Sequence, residues 1–229
     1  MLENTDKTAI LIFANSSKKE ILRKSFLKDE KLVDYLNSKT VKIAKKACSN
    51  VIVYDENLQV GANFSEKFAN AITDVFSKGF NHIVTIGNDS PELKATDITN
   101  AIINLQKGKN VIGPSKDGGV YLIGLHKKQF NREEFTSLSW QTNFLGNDLE
   151  DLLKSKGAKI EKLQRLKDID CYDDLIYFST CFSVSKNLKS FITIIIGILK
   201  ESIRSRFIFT YKYHYSAQFY NKGSPLSPS

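Results

Sequence analysis

Carboxylates set beside glycines, at points where apolar runs stop, are the residues of this 229-residue chain best suited to chemistry, and they fall in three segments. Residues 86–93 (IGNDSPEL) end an apolar run at Gly87 and then present Asn88 and Asp89 before Pro91 blocks continuation. A carboxylate at such a strand end can bind Mg2+ or Mn2+, hard cations that bridge phosphate oxygens and offset charge on a leaving group. An aspartate capping the next helix is the plainer alternative. In residues 113–125 (GPSKDGGVYLIGL), Gly118 and Gly119 let the backbone approach a ligand while Asp117 points to the same region, and Lys116 is available to a phosphate. Asp-Gly between two apolar runs is also a strong hairpin signal. Residues 166–175 (LKDIDCYDDL) put Asp168 and Asp170 on one side of a strand-like pair, with Asp173 three residues after Asp170, where the two can cap a helix reciprocally. Four acids this close repel unless a cation or a helix N-terminus offsets them, which makes Asp170 the candidate second metal ligand.

The elements that must carry these residues alternate. Residues 8–14 (TAILIFA), 50–54 (NVIVY) and 82–87 (HIVTIG) are short continuous apolar runs, as in strands covered on both faces. Between them, apolar residues recur at helical spacing over 21–47, with the LKDE cluster around Asp29 dividing the helix. They recur again from an Asn63 or Ser65 cap through Phe80, with Gly79 as the stop. A further helix over 96–106 leads to two strands, NVIGP and VYLIGL, separated by SKDGG. This order predicts a three-layer α/β/α domain with a mainly parallel, Rossmann-like sheet, whose ligands sit at the carboxyl ends of the strands.

Composition sets the outer limits. With 41% hydrophobic and 25% charged residues the chain reads as globular. Cys48, Cys171 and Cys181 lack metal-site spacing and are odd in number, so neither a zinc site nor a disulfide framework is indicated. His82, His126 and His214 are scattered, as structural histidines are. The first residues carry no secretion-signal pattern, which points to the cytoplasm. Of the net charge of +8, residues 182–229 supply seven Lys or Arg against one acid, Glu201, leaving the preceding body near neutral.

Taken in order, IGNDSP, GPSKDGGVYLIGL, SLSWQTNFLGNDLEDLLKSKG and LKDIDCYDDL resemble the bacterial GT-A-type glycosyltransferase-like proteins, a group that includes arsenosugar-biosynthesis glycosyltransferases, over roughly residues 8–178. The resemblance implies a nucleotide-diphospho-sugar transferase fold in which Asp89 binds metal and diphosphate beside Gly87 and Asn88. Asp117, Gly118 and Gly119 would face the sugar or acceptor, Asp117 orienting it or serving as base. The acid at Asp170 would share the Mg2+ or Mn2+, as in similar guanylyltransferases. The ANFSEKF segment (62–68) also belongs to the pattern, with Lys67 where Arg is more usual, and Trp140 and Thr142 would contact substrate, Trp140 being equally suited to the core. Where the family commonly has a Pro-Gly loop and a Lys-Thr-Arg-Leu stretch, this chain has ANSSKKEILRKSF, so phosphate contacts pass to Asn15, Ser16, Lys18, Lys19 and Arg23.

The expected activity is metal-dependent glycosyl transfer from a nucleoside diphosphate sugar to a small-molecule or glycan acceptor. Nucleotidyl transfer to a phosphorylated small molecule is the enzymatic alternative. A non-catalytic scaffold is the other, given the altered basic loop. Residues 1–181 form the expected catalytic domain and 182–229 an appendage. In that appendage, 186–204 is an amphipathic helix with Leu188, Phe191, Ile192, Ile195, Leu199 and Ile203 on one face, to dock on the domain or, through 186–206, on the inner membrane surface. The alternating RFIFTYKYHY then reads as a strand that pairs with the sheet or with a second subunit in a homodimer, not as a nucleic-acid surface, and the last residues read as disordered.

Overall fold

The computed structural model describes residues 7–217, with side chains described to residue 201. Six strands form one sheet: β1 (Thr8–Phe13), β2 (Val51–Tyr54), β3 (His82–Ile86), β4 (Lys109–Pro114), β5 (Val120–His126) and β6 (Lys159–Lys162), in the order β2-β1-β3-β5-β4-β6. The pairs β1/β2, β1/β3 and β4/β6 are parallel, and β5 alone runs antiparallel to its two neighbours, β3 and β4. The expectation of a mainly parallel α/β sheet therefore holds. The reversal of β5 comes from the SKDGG turn, where Gly118 adopts φ +96°, a conformation that β-carbon sterics deny most residues.

Helices cover both faces. On one, α3 (Phe64–Ser77), α5 (Arg132–Thr136) and α6 (Leu145–Ser155) pack Phe68, Ile72, Val75, Phe135, Leu149 and Leu153 against Leu11, Ile83, Ile112 and Ile123. On the other, α2 (Glu30–Ala47) and α4 (Ala95–Gln106) bring Ala44, Ile98, Ala101 and Leu105 onto Ile10, Ile12, Val84 and Val111. Alternate residues of β1 thus serve opposite faces, which is why its sequence is apolar throughout.

The helix starts follow local chemistry. Asn63 accepts from the Glu66 amide while Glu66 accepts from the Ala62 amide, and Asp29 accepts from Lys31, so the predicted break at Asp29 is a cap between α1 (Ser17–Arg23) and α2. β6 has no counterpart in the sequence reading: KIEK offers one apolar residue and two lysines, the composition of a short sheet edge.

Three expectations are corrected. Residues 167–170 form no strand; Leu166 makes only an isolated bridge to Ser115. The helix that follows, α7 (Tyr172–Thr180), is capped not by an Asp170–Asp173 pair but by Asp174, which accepts from the amides of Asp170 and Cys171. The RFIFTYKYHY segment is helical, part of α8 (Lys186–Ala217), because a strand needs a ladder partner whereas a helix already nucleated satisfies each added residue from within. The final GSPLSPS (223–229), expected to be disordered, lies outside the described residues, and no described helix is long and apolar enough to cross a membrane.

The first half of α8 docks on the domain. Leu188, Ile192 and Ile195 join Leu32, Val33 and Leu36 of α2 and Leu175 and Phe178 of α7 in a third apolar cluster. Ile192 is fully buried while Ile194, two residues away, is 54% exposed. Ile192→Ala should therefore cost about 2–5 kcal/mol in urea unfolding, whereas Ile194→Ala should stay within about 0.5 kcal/mol of wild type.

Candidate active site

A cleft of about 580 Å³ opens over the carboxyl ends of β1 and β3 and the β4–β5 hairpin. One wall is aromatic: Phe13, Phe64, Phe68 and Trp140 lie with Phe64–Trp140 and Phe68–Trp140 ring centroids 5.6 and 5.0 Å apart. The Trp140 indole donates to the Phe135 carbonyl at 2.6 Å, so this side chain is at once a core anchor and a cleft surface. Beside it Gln141 has φ +62°, the one positive φ outside glycine among the described residues, held where the 140–143 loop crosses the cleft.

The opposite floor is charged, and its centre is Lys24, a residue that none of the sequence motifs marks. Lys24 directs its ammonium to Asp170 Oδ1 at 2.9 Å, Asp89 Oδ2 at 3.1 Å and the Ile169 carbonyl at 2.6 Å, with Glu20 Oε1 at 3.5 Å. Its side chain is only 6% exposed, against 32% for Asp89 and 50% for Asp170. Burial by itself would lower the ammonium's pKa, but Asp89, Asp170 and Glu20 together raise it well above the ordinary lysine value. Glu20 also takes both Arg23 (2.5 and 3.1 Å) and the Asn15 amide (2.9 Å). Burial would raise the Glu20 carboxyl, yet the hydrogen bonds from Arg23 and Asn15 and the nearby charges hold it below the usual range. The sequence hint is slight: Glu20 and Lys24 stand four residues apart, the spacing of an ordinary helical ion pair, and only the fold buries both of them together with Leu27.

Asp168 is a third carboxylate of a different kind. Ser90 and Ser115 each donate to it, the latter at 2.5 Å. Burial first, and then the charges of Asp89 and Asp170, push its carboxyl up to about 7 against the lowering effect of the two serines.

Of the residues singled out in the sequence, Asn15, Arg23, Gly87, Asn88, Asp89, Asp117, Gly119, Trp140, Thr142 and Asp170 share this cleft. Gly118, Ser16, Lys18 and Lys67 are not among its lining residues. Gly118 instead shapes the hairpin: its carbonyl accepts from Gly146, and a β-carbon there would collide with the Asn143 carbonyl. Ser16 caps α1 and binds Glu56, so it serves the helix start and not the cleft. Lys116 lies over the Tyr177 ring, 5.4 Å from its centroid, and Asp117 accepts from the Gly119 amide at 3.1 Å at the cleft mouth. Gln59, Asn143 and Tyr121, to which no sequence motif assigns a role, also line the cleft.

Asp89 and Asp170, assigned to Mg2+ or Mn2+ from sequence, do converge, and carboxylate oxygen is the right ligand for either ion. As arranged they do not fit a metal, because the facing oxygens both bind the Lys24 ammonium, which fills the point of convergence. Among the described residues no group of three or more His, Cys, Asp or Glu is arranged to hold a metal ion.

The Asp168 carboxyl binds its proton more tightly in the folded chain than an unfolded carboxyl near pH 4 does, so its contribution to stability is present at low pH and is lost as pH rises to about 7. Urea unfolding of wild type and Asp168→Asn at pH 5 and pH 8 should show wild type losing stability relative to the variant on going to pH 8.

Comparison with known proteins places this geometry in a fold. Residues 38–142 match the family described as uncharacterized protein conserved in bacteria (DUF2064). No curated protein sequence gives a match. Among solved structures, a protein of Desulfovibrio desulfuricans G20, provisionally named a nucleotide-diphospho-sugar transferase, is 18% identical and superposes over 86% of this chain and 98% of its own with a TM-score of 0.67. More distant are Rv0371C of Mycobacterium tuberculosis H37Rv in complex with manganese (15% identity, 76% and 97% coverage, TM-score 0.45) and 4-diphosphocytidyl-2C-methyl-D-erythritol synthase of Anaerococcus prevotii DSM 20548 (13%, 75% and 94%, 0.43). The resemblance read from the ordered motifs is borne out as a fold: the chain has the nucleotide-diphospho-sugar transferase fold, with the DUF2064 match at its centre.

Proposed function

We propose that the chain is a glycosyltransferase whose donor, a nucleoside diphosphate sugar, lies in the cleft between the aromatic wall and the charged floor. The observation that carries this reading is convergence. Asn15 and Arg23 after β1, Gly87 to Asp89 after β3, Asp117 and Gly119 in the hairpin, and Asp170 before α7 come from four separate stretches and meet in one cavity at strand ends, where open α/β sheets bind ligands.

The parts divide the work by chemistry. The aromatic wall supplies flat apolar surface for a base or sugar face. Arg23 presents a guanidinium fork that is half exposed while Glu20 holds its other side, a suitable partner for diphosphate oxygens. Asp117 stands exposed at the mouth, where an acceptor hydroxyl would enter, and in this reading it orients that hydroxyl and takes its proton as the hydroxyl oxygen attacks the anomeric carbon. The nucleoside diphosphate leaves with the electron pair of the broken glycosidic bond. Non-reacting contacts to base and diphosphate raise the rate only by positioning the sugar.

The test is a panel of nucleoside diphosphate sugars and nucleoside triphosphates incubated with acceptor alcohols and sugar phosphates, with release of nucleoside diphosphate and of pyrophosphate measured separately. Nucleoside diphosphate release supports glycosyl transfer; pyrophosphate release alone replaces it with nucleotidyl transfer; neither product across the panel removes the enzymatic reading. Trp140, the single tryptophan, lines the cleft, so its emission should change on titration with the donor. Asp117→Asn should leave that titration unchanged while lowering turnover by roughly 10²–10⁴-fold, the range for loss of a general base.

A further inference from the structure

We propose that Lys24 holds the position a divalent cation would take, so that the Asp89–Asp170 pair is a lysine site in this chain and the donor diphosphate is met without a metal at that pair. The inference concerns the cleft described above and rests, for its nucleotide arm only, on the proposed function.

The geometry is that of a filled coordination site. An ammonium has three N–H donors, and Lys24 has one partner for each: Asp170 Oδ1 at 2.9 Å, Asp89 Oδ2 at 3.1 Å and the Ile169 carbonyl at 2.6 Å. Glu20 Oε1 stands behind these at 3.5 Å. All four partners are oxygens, and they come from three segments far apart in sequence, as they would around a hard cation. A divalent ion between the same carboxylates would meet an ammonium at van der Waals distance, two like charges in a largely buried site, and could enter only if the lysine left its three hydrogen bonds.

Leaving is obstructed by the surrounding structure. Lys24 lies at the end of α1, its amide donating to the Glu20 carbonyl, and its side chain is 6% exposed. The Asp89 carbonyl accepts from the Ile169 amide at 2.9 Å, which ties the two carboxylate-bearing loops to each other on either side of the ammonium. Asp174 accepts from the Asp170 and Cys171 amides, fixing the second loop from below. Arg23, the preceding residue, is half exposed and lines the cleft, which leaves one cation inside the floor and one at its surface.

The experiment uses the full chain after chelator treatment and reads Mn2+ directly, by the electron paramagnetic resonance signal of the free ion, with no substrate present. Wild type should bind no Mn2+ that Asp89→Asn or Asp170→Asn abolishes. Lys24→Met, which keeps the apolar stem and removes the charge, should gain one Mn2+ site at least about tenfold tighter than any in wild type, and Asp170→Asn in that background should remove it. Mn2+ should also raise the melting temperature of Lys24→Met and leave that of wild type unchanged. A single Mn2+ bound by wild type and lost in Asp89→Asn or Asp170→Asn overturns the proposal, and this arm decides alone if Lys24→Met does not fold.

The nucleotide arm titrates wild type with UDP and GDP by Trp140 emission in EDTA and in Mn2+. Affinities agreeing within about twofold support the lysine site. A tenfold or larger loss in EDTA overturns it and leaves the proposed donor class standing. No binding of a nucleoside diphosphate in either condition sinks the proposed function and leaves the Mn2+ result to stand by itself.

Discussion

Removing an ammonium from water costs several kcal/mol even after relaxation, and that cost is offset only by close, well-directed oxygens. Lys24 has such oxygens because α1, the loop after β3 and the loop before α7 meet around it. The dependence runs both ways. Without the cation, Asp89 and Asp170 would face each other and Glu20 with no neutralising charge on the inner side. The ion pair network thus joins α1 to two loops that the Ile169–Asp89 backbone hydrogen bond and the Ser90–Asp168 contact already hold together.

The fold was legible in the sequence wherever burial on both faces forced a continuous apolar run, as in β1 and β3, or where a polar cap sat before an amphipathic stretch, as at Asn63 and Asp29. It was not legible where an element owes its existence to a neighbour. β6 has one apolar side chain and exists because the edge of β4 offers ladder partners from Lys109 to Ile112. The alternating aromatics after residue 205 suggested a strand, but no period in a sequence records whether a sheet edge lies within reach.

The candidate site shows the same division. Glycines and acids at strand ends pointed to Gly87, Asn88, Asp89 and Asp117, because backbone approach and a free carboxylate are local properties. Lys24 was hidden because its role is non-local: its main partners are 65 and 145 residues away, and on the helix wheel alone it is one lysine among several in SKKEILRK. What distinguishes it from Lys18 and Lys19 is burial beside Glu20 and Leu27, which the i, i+4 spacing of Glu20 and Lys24 does not reveal, because that spacing equally suits an exposed helical ion pair. Ser90 and Ser115 were invisible for a related reason, since they matter only through the Asp168 carboxylate that both of them bind.

The position of α8 bears on the site through a chain of contacts that can be followed residue by residue. Leu188, Ile192 and Ile195 pack with Leu175 and Phe178, which fixes α7 on α2. The first turn of α7 carries Asp174, whose carboxylate accepts from the amides of Asp170 and Cys171 and pairs with Lys167, and those hydrogen bonds hold it below the usual carboxylate range although burial would raise it. Asp170 is then presented to Lys24 from a backbone that cannot rotate freely, while its own side chain remains half exposed to the cleft. The basic C-terminal segment thus contributes to the floor without touching it: packing fixes the helix, the helix cap fixes the loop, and the loop delivers a carboxylate to a buried cation.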